Sequence, residues 1–80
     1  MRVVDVLMPK WGDTMQAGVI VQWRVTEGQL VIEGNPLVTI ETDKASAEVE
    51  APASGVLVQI LAAEGEEVAV GDAIARISTD

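Results

Sequence analysis

Eighty residues with thirteen acidic and five basic side chains, a net charge of −8, describe one small acidic domain, 1–80. Without cysteine or histidine the chain has no disulfide, no thiolate metal site and none of the usual general base. The acid excess argues against nucleic acid, whose binding needs Lys and Arg to displace counterions, and against an anionic membrane surface.

Apolar residues make up 49% of the chain, most of them Val, Ile, Ala and Leu, with three Met, two Trp and no Phe or Tyr. A core of that kind is built from thin, β-branched layers. No apolar run approaches a membrane span, and Met1-Arg2 leads straight into a strand pattern rather than a signal or transit peptide.

In chain order, Val3 to Met8 predicts a short strand with Val4, Val6 and Met8 inward. Pro9 ends it, and Lys10 to Ala17 reads as a polar loop carrying Trp11 and Met15. Gly18 opens a second strand, in which alternation puts Val19, Val21, Trp23 and Val25 on one face, opposite Gln22 and Arg24. Turns are expected at Gly28 and Gly34, on either side of a brief strand from Leu30 to Ile32. Pro36 starts a run in which Val38, Ile40 and Thr42 share a side. After Asp43-Lys44 the chain returns with Ala47, Val49 and Ala51 on one side and Glu48 and Glu50 on the wet one.

The pattern then starts again. Gly55 to Ile77 matches Gly18 to Ile40 at 9 of 23 positions, with a constant spacing of 37 residues and three glycines in phase. The first half carries six more residues, because nine steps separate Pro9 from Gly18 and three separate Pro52 from Gly55. No window supports a helix. Two four-strand half-repeats, 3–40 and 46–77, neither able to hide its apolar face alone, predict an all-β, flattened sandwich or barrel with pseudo-twofold symmetry. The same symmetry sets the two termini beside each other at the pole opposite Lys44.

Lys44 is one of two lysines. It stands at the predicted corner of a tight turn, where Asp43 is favoured for side-chain bonds to the local backbone. Lysines are common at exposed turns, so its position alone carries little. Enzyme readings are weaker still. Glu48 and Glu50 could share a strand face as an acid–base pair, but an open strand offers no cleft to raise a pKa. The glycines match no phosphate-binding loop, and the acidic residues lack the spacing of a calcium loop.

The run Ile40-Glu41-Thr42-Asp43-Lys44-Ala45 resembles the lipoylation motif of lipoyl domains in 2-oxo acid dehydrogenase complexes. Met8-Pro9-Lys10-Trp11-Gly12-Asp13-Thr14-Met15 resembles the entry loop of that family, and Glu27-Gly28, Gly34-Asn35-Pro36-Leu37, Val49-Glu50-Ala51-Pro52, Gly55 and Val70-Gly71 match its turns and strand ends. The likeness runs from about Val3 to Ile77.

The resemblance implies a flattened barrel of two four-stranded antiparallel sheets with the lipoyl-lysine on a hairpin turn. It implies lipoic acid amide-linked to Lys44, and a non-catalytic carrier within a dihydrolipoamide acyltransferase. Asp43 and Ala45 would fix the turn and let the ligase tell this lysine from a biotin-bearing one, which family biotinyl domains flank with Met. Glu41 would belong to the surface read by ligase and decarboxylase. Trp11, Gly12, Asp13 and Thr14 would help select the decarboxylase, with Trp11 either a contact or a ring covering the barrel edge.

The implied partners are a thiamine-diphosphate-dependent 2-oxo acid decarboxylase, the acyltransferase catalytic domain, dihydrolipoyl dehydrogenase and a lipoate ligase or lipoyl transferase. The domain itself is expected to be monomeric, in the bacterial cytoplasm or the mitochondrial matrix, and excised from a longer chain. Gly12 to Met15 looks more like pyruvate or acetoin systems than 2-oxoglutarate or branched-chain ones. The alternatives are a biotin carboxyl carrier, a glycine-cleavage carrier (usually longer) and an unmodified β-module in which Lys44 is an ordinary turn residue.

Overall fold

Alternating β-branched and polar residues produce eight short strands in the computed structural model, which describes residues 2–80; Met1, the first residue of the expected domain, lies outside them. They are β1 (Val3–Leu7), β2 (Ala17–Trp23), β3 (Leu30–Val31), β4 (Pro36–Glu41), β5 (Ser46–Glu50), β6 (Gly55–Ile60), β7 (Glu67–Ala69) and β8 (Ala73–Ser78). One sheet has the order β1-β8-β6-β3 and the other β5-β4-β2-β7. Every pairing is antiparallel. Exchanging β1–β4 with β5–β8 turns one order into the other, which is the expected pseudo-twofold.

The inner faces share one core. Val6, Ile20, Leu37, Val38 and Ile40 enter it from the first four strands, Met8 from just beyond β1, and Leu57, Ile74 and Ile77 from the last four. Full burial of such a side chain contributes about 1.5–3 kcal/mol.

The expected face of Val19, Val21, Trp23 and Val25 is corrected by a bulge. The register of β2 against β4 shifts between Ile20 and Gln22, and that of β6 against β8 shifts between Leu57 and Gln59, 37 residues on. An extra residue reverses which side chains face inward. Ile20 and Leu57 are therefore fully buried, while Val21 and Val58 stand 45% and 41% exposed. Beyond each bulge the inward phase resumes: Val25 and Ala62 are buried, and Trp23 is half-buried against the core. Trp23 donates its indole Nε1–H to the Ala62 carbonyl at 2.8 Å.

Each half also ties the other's bulge. Glu64 accepts the Trp23 amide at 3.0 Å and Glu27 accepts the Ile60 amide at 2.8 Å. The Gly65 and Gly28 amides donate to the Ile20 and Leu57 carbonyls, both at 2.7 Å.

Two of the three phased glycine pairs sit in turns at positive φ: Gly28 and Gly65 at 92° and 89°, Gly34 and Gly71 at 90° and 91°. The third pair lies in strands and is needed for space. A Cβ on Gly18 would come within 2.6 Å of Ile40 Cγ2, and one on Gly55 would run into the Ser78 carbonyl.

The chain ends meet. Val3 pairs with Ser78, the Thr79 amide donates to the Arg2 carbonyl at 3.0 Å, and the Arg2 amide donates to Asp80 Oδ2 at 2.7 Å. Under the twofold the β1·β8 pair corresponds to β5·β4, so the ends occupy the position equivalent to the β4–β5 corner, across the axis.

Candidate functional site

The β4·β5 register ends at Glu41 opposite Ser46, leaving Thr42 to Ala45 to reverse the chain. The Thr42 amide donates to the Ala45 carbonyl at 2.8 Å. Thr42 Oγ1 donates to that same carbonyl at 2.9 Å and accepts from the amides of Ala45 and Lys44 at 3.3 and 3.4 Å. The last two are long for N–H···O bonds and individually weak. Asp43 was expected to tie this corner through its side chain, but among the described residues it is the Thr42 hydroxyl that does so.

Lys44 is exposed on this corner, as are Asp43 and Ala45. Among the described residues its amine has neither an ion pair nor a hydrogen bond, even though the domain is strongly acidic.

The six extra residues of the first half are folded against this corner. The Met15 amide donates to the Gly12 carbonyl at 3.1 Å, and the Trp11 amide points at the Met15 thioether at 3.3 Å. Met15 in turn packs on the core, which pins the loop down. Trp11, Gly12 and Thr14 consequently face Asp43, Lys44 and Ala45 across a groove of about 190 Å³. The Trp11 ring is 44% exposed.

On the other side of Thr14 and Thr42 lies a broader hollow of about 630 Å³, reached by Glu41, Asp43 and Glu67. Of the expected residues, only Asp13 borders neither depression; it is exposed at the loop surface. Sequence reasoning did not single out Thr42, Met15 or Glu67. Thr42 was legible as a hydroxyl at a turn, whereas Glu67 reaches the site only because β7 lies beside β2.

The arrangement presents a group; it does not enclose one. Glu48 is paired with Arg24 at 3.0 Å, so it forms no acid–base couple with Glu50. No cluster of three or more metal-ligating side chains occurs among the described residues, and none of their helices is long and apolar enough to cross a membrane. A free amine on a turn that does not need it for closure suits covalent attachment, and the donor set suits no metal.

Comparison with known proteins agrees with this geometry. The biotin/lipoyl family model, described as "Biotin-requiring enzyme", matches residues 4–77. The acetyltransferase component of the pyruvate dehydrogenase complex of Mycobacterium bovis is 42% identical over 72 residues, covering 90% of this chain and 13% of that protein. The corresponding component of the acetoin cleaving system of Cupriavidus necator is 42% identical over 55 residues, 69% of this chain and 15% of that protein. The succinyltransferase component of the 2-oxoglutarate dehydrogenase complex from the same organism is 35% identical over 80 residues, the whole of this chain and 19% of that protein. The chain thus spans less than a fifth of the length of these relatives.

The solution structure of the lipoyl domain of the Azotobacter vinelandii 2-oxoglutarate dehydrogenase complex superposes with a TM-score of 0.76 at 31% identity, covering 94% of this chain and 95% of that one. A single-chain, multi-domain long-chain acyl-CoA carboxylase shares the fold at a TM-score of 0.75 and 24% identity, over 92% of this chain and 7% of its own. The cofactor typical of the lipoyl class is a lipoyl-lysine. The chain belongs to the biotin/lipoyl attachment domain family, is homologous to the lipoyl domains of 2-oxo acid dehydrogenase acyltransferases, and is a carrier module without catalysis of its own.

Proposed function

We propose that Lys44 is the attachment point for lipoic acid, and that the domain carries acyl groups and reducing equivalents between the active sites of a 2-oxo acid dehydrogenase complex of pyruvate or acetoin type. The supporting observation is the β4–β5 corner, where the turn closes through Thr42 and leaves the Lys44 amine without a partner. A bound lipoyl group supplies acyl-accepting and two-electron redox chemistry. The chain's own residues hold its root. Thr42 and the Glu41–Ser46 pair fix the corner, Asp43 and Ala45 flank the lysine for the ligase to read, and Trp11 to Thr14 offer an adjoining surface to the decarboxylase.

The proposed partners are the thiamine-diphosphate-dependent decarboxylase, the acyltransferase catalytic domain, dihydrolipoyl dehydrogenase and the lipoylating ligase. Tethering to such an assembly raises the effective concentration of the arm at each site. The proposed setting is the bacterial cytoplasm or mitochondrial matrix. The preference for pyruvate or acetoin rests on Gly12 to Met15; the relatives include components of both those systems and of a 2-oxoglutarate complex.

Intact mass with fragment mapping tests the reading, on protein co-expressed with lipoate and biotin ligases and both cofactors. A lipoyl increment on Lys44, with Lys10 unmodified, is expected. A biotin increment moves the domain to a carboxylase, and a bare Lys44, with both ligases active on control domains, overturns the carrier reading. Reductive acylation of the lipoylated domain by purified decarboxylases then distinguishes the 2-oxo acid systems.

A further inference from the structure

We propose that the Thr42 hydroxyl is a positioning group for the acylation of Lys44: it sets the corner backbone so that the ligase can align the amine. The inference rests on the carrier reading and deepens it by naming a residue that acts through the lysine's backbone. Three observations carry it. The corner is four residues long, and β5 is an edge strand, so no neighbouring strand supports its outer side. Within those four residues, one hydroxyl donates to the Ala45 carbonyl at 2.9 Å and stands as the shared acceptor, through two longer and weaker contacts, of the Ala45 and Lys44 amides at 3.3 and 3.4 Å. Thr42 is also the half-buried member of an otherwise exposed corner, and it lines both hollows.

The reaction shows why backbone placement matters. The lone pair of the neutral Lys44 Nζ attacks the carbonyl carbon of an acyl adenylate of lipoate. The C–N bond forms, the C–O bond to the nucleotide breaks, AMP departs with that electron pair, and the surplus amine proton passes to a base in the ligase or solvent. The Lys44 amine has no polar partner among the described residues, so the ligase locates Nζ through the corner from which it projects. A misplacement of about 1 Å in such a reaction costs up to about 100-fold. A corner without the hydroxyl samples a wider range of backbone shapes, and few of them deliver the amine to the adenylate.

The test compares Thr42→Val, which keeps the shape and removes the hydroxyl, with Thr42→Ser, which keeps the hydroxyl. Three quantities are read on the intact domain: kcat/KM for lipoylation by purified ligase with lipoate and ATP, the rate at which a small acetyl ester modifies Lys44 without enzyme, and amide hydrogen exchange at Lys44 and Ala45. Thr42→Val is expected to lower kcat/KM by about 10- to 100-fold and to speed exchange at both amides. Its melting temperature and its chemical acetylation should stay unchanged, because water can replace bonds at this exposed surface. Thr42→Ser should recover most of the enzymatic rate.

Lipoylation of Thr42→Val at the normal rate overturns the proposal. So does a Thr42→Ser variant as slow as Thr42→Val, or chemical acetylation that falls in step with the enzymatic rate, which would locate the effect in the amine itself. If the unaltered domain is not a substrate, the carrier reading fails instead, while the exchange data still decide whether the hydroxyl holds the corner.

Discussion

The β4–β5 corner and the β1·β8 pair occupy the same position in the two halves of the fold, yet different things cross them. At one the chain is continuous through Thr42 to Ala45; at the other, among the described residues, bonds from the Thr79 amide to Arg2 and from the Arg2 amide to Asp80 join the two strands. Both pairs are antiparallel, each with one register shift, and both feed buried side chains to the same core. Strand pairing thus meets at both positions, through a covalent corner at one and through hydrogen bonds at the other. The Lys44 side chain makes no hydrogen bond or ion pair among the described residues, which leaves it free for chemistry. The loop teaches the same lesson: six residues added to one half and not the other are placed beside the lysine and not beside the chain ends.

The sharpest way to break this comparison is Lys44→Arg. All lipoyl incorporation should vanish while stability stays within about 0.5 kcal/mol, as expected for an exposed side chain without a partner. Mass mapping and urea unfolding read the two halves of that statement. Residual modification on Lys10 would mean that the ligase reads lysines without regard to the corner. A fall in stability would mean that the corner serves the fold after all.

The next effect concerns the loop. Shortening Lys10 to Ala17 to the length found between Pro52 and Gly55 should leave Lys44 a substrate for the ligase and sharply reduce reductive acylation by the decarboxylase. The loss of Met15 from the core should cost about 1–2 kcal/mol, because a half-buried side chain gives up less than the full cavity penalty. Decarboxylase turnover at the normal rate would remove the loop from partner recognition and leave it a cover over β2.

Gly55→Ala and Gly18→Ala then separate the two halves on stability alone. At Gly55 the new methyl meets the Ser78 carbonyl, part of a paired central strand that cannot retreat; at Gly18 it meets the side chains of Ile40 and Met8, whose ends can shift. Overpacking of the first kind should cost about 3 kcal/mol and of the second about 1–2 kcal/mol, read as urea midpoints. Equal costs would mean that the Ile40 side chain is as rigid as backbone.

Most of the fold was legible because its signals are local and repeated. Glycines spaced by 37 residues announced two equivalent halves, and alternation placed β1 to β5 to within a residue or two, the later strands following from the repeat. What alternation could not find is a place where it breaks. Val19 and Val21 are as β-branched and apolar as Ile20, and only the pairing of β2 with β4 shows that a bulge sends Ile20 inward.

The site divides in the same way. Asp43 and Lys44 were visible as a turn, and Trp11, Gly12 and Thr14 as an insertion, since both are breaks in a repeat; Ala45 came from the family resemblance alone. That the insertion folds onto the turn depends on Met15 reaching the core, a long-range contact no local pattern encodes. Thr42 was read by its phase with Val38 and Ile40, as a strand residue, and its hydroxyl was overlooked because Asp is the commoner turn residue.

The smallest expected effect tests whether the two bulges act as one unit. Glu27 and Glu64 make equivalent bonds, each to the amide beyond the other half's bulge, at 2.8 and 3.0 Å. Both carboxylates are exposed, so solvent competes, and Glu27→Ala or Glu64→Ala should each cost about 1 kcal/mol. Separate sites would make the double variant cost the sum. The two are not separate, because the Trp23 indole donates to the Ala62 carbonyl, joining the strand that Glu64 caps to the one that Glu27 caps. Loosening either bulge should already slacken that bond, leaving less for the second substitution to lose. The double-mutant cycle should therefore show a coupling of about 0.5–1 kcal/mol. Trp23→Phe removes the donor, and in that background the coupling should disappear; a coupling that persists would mean that the halves communicate through the core and not through the indole.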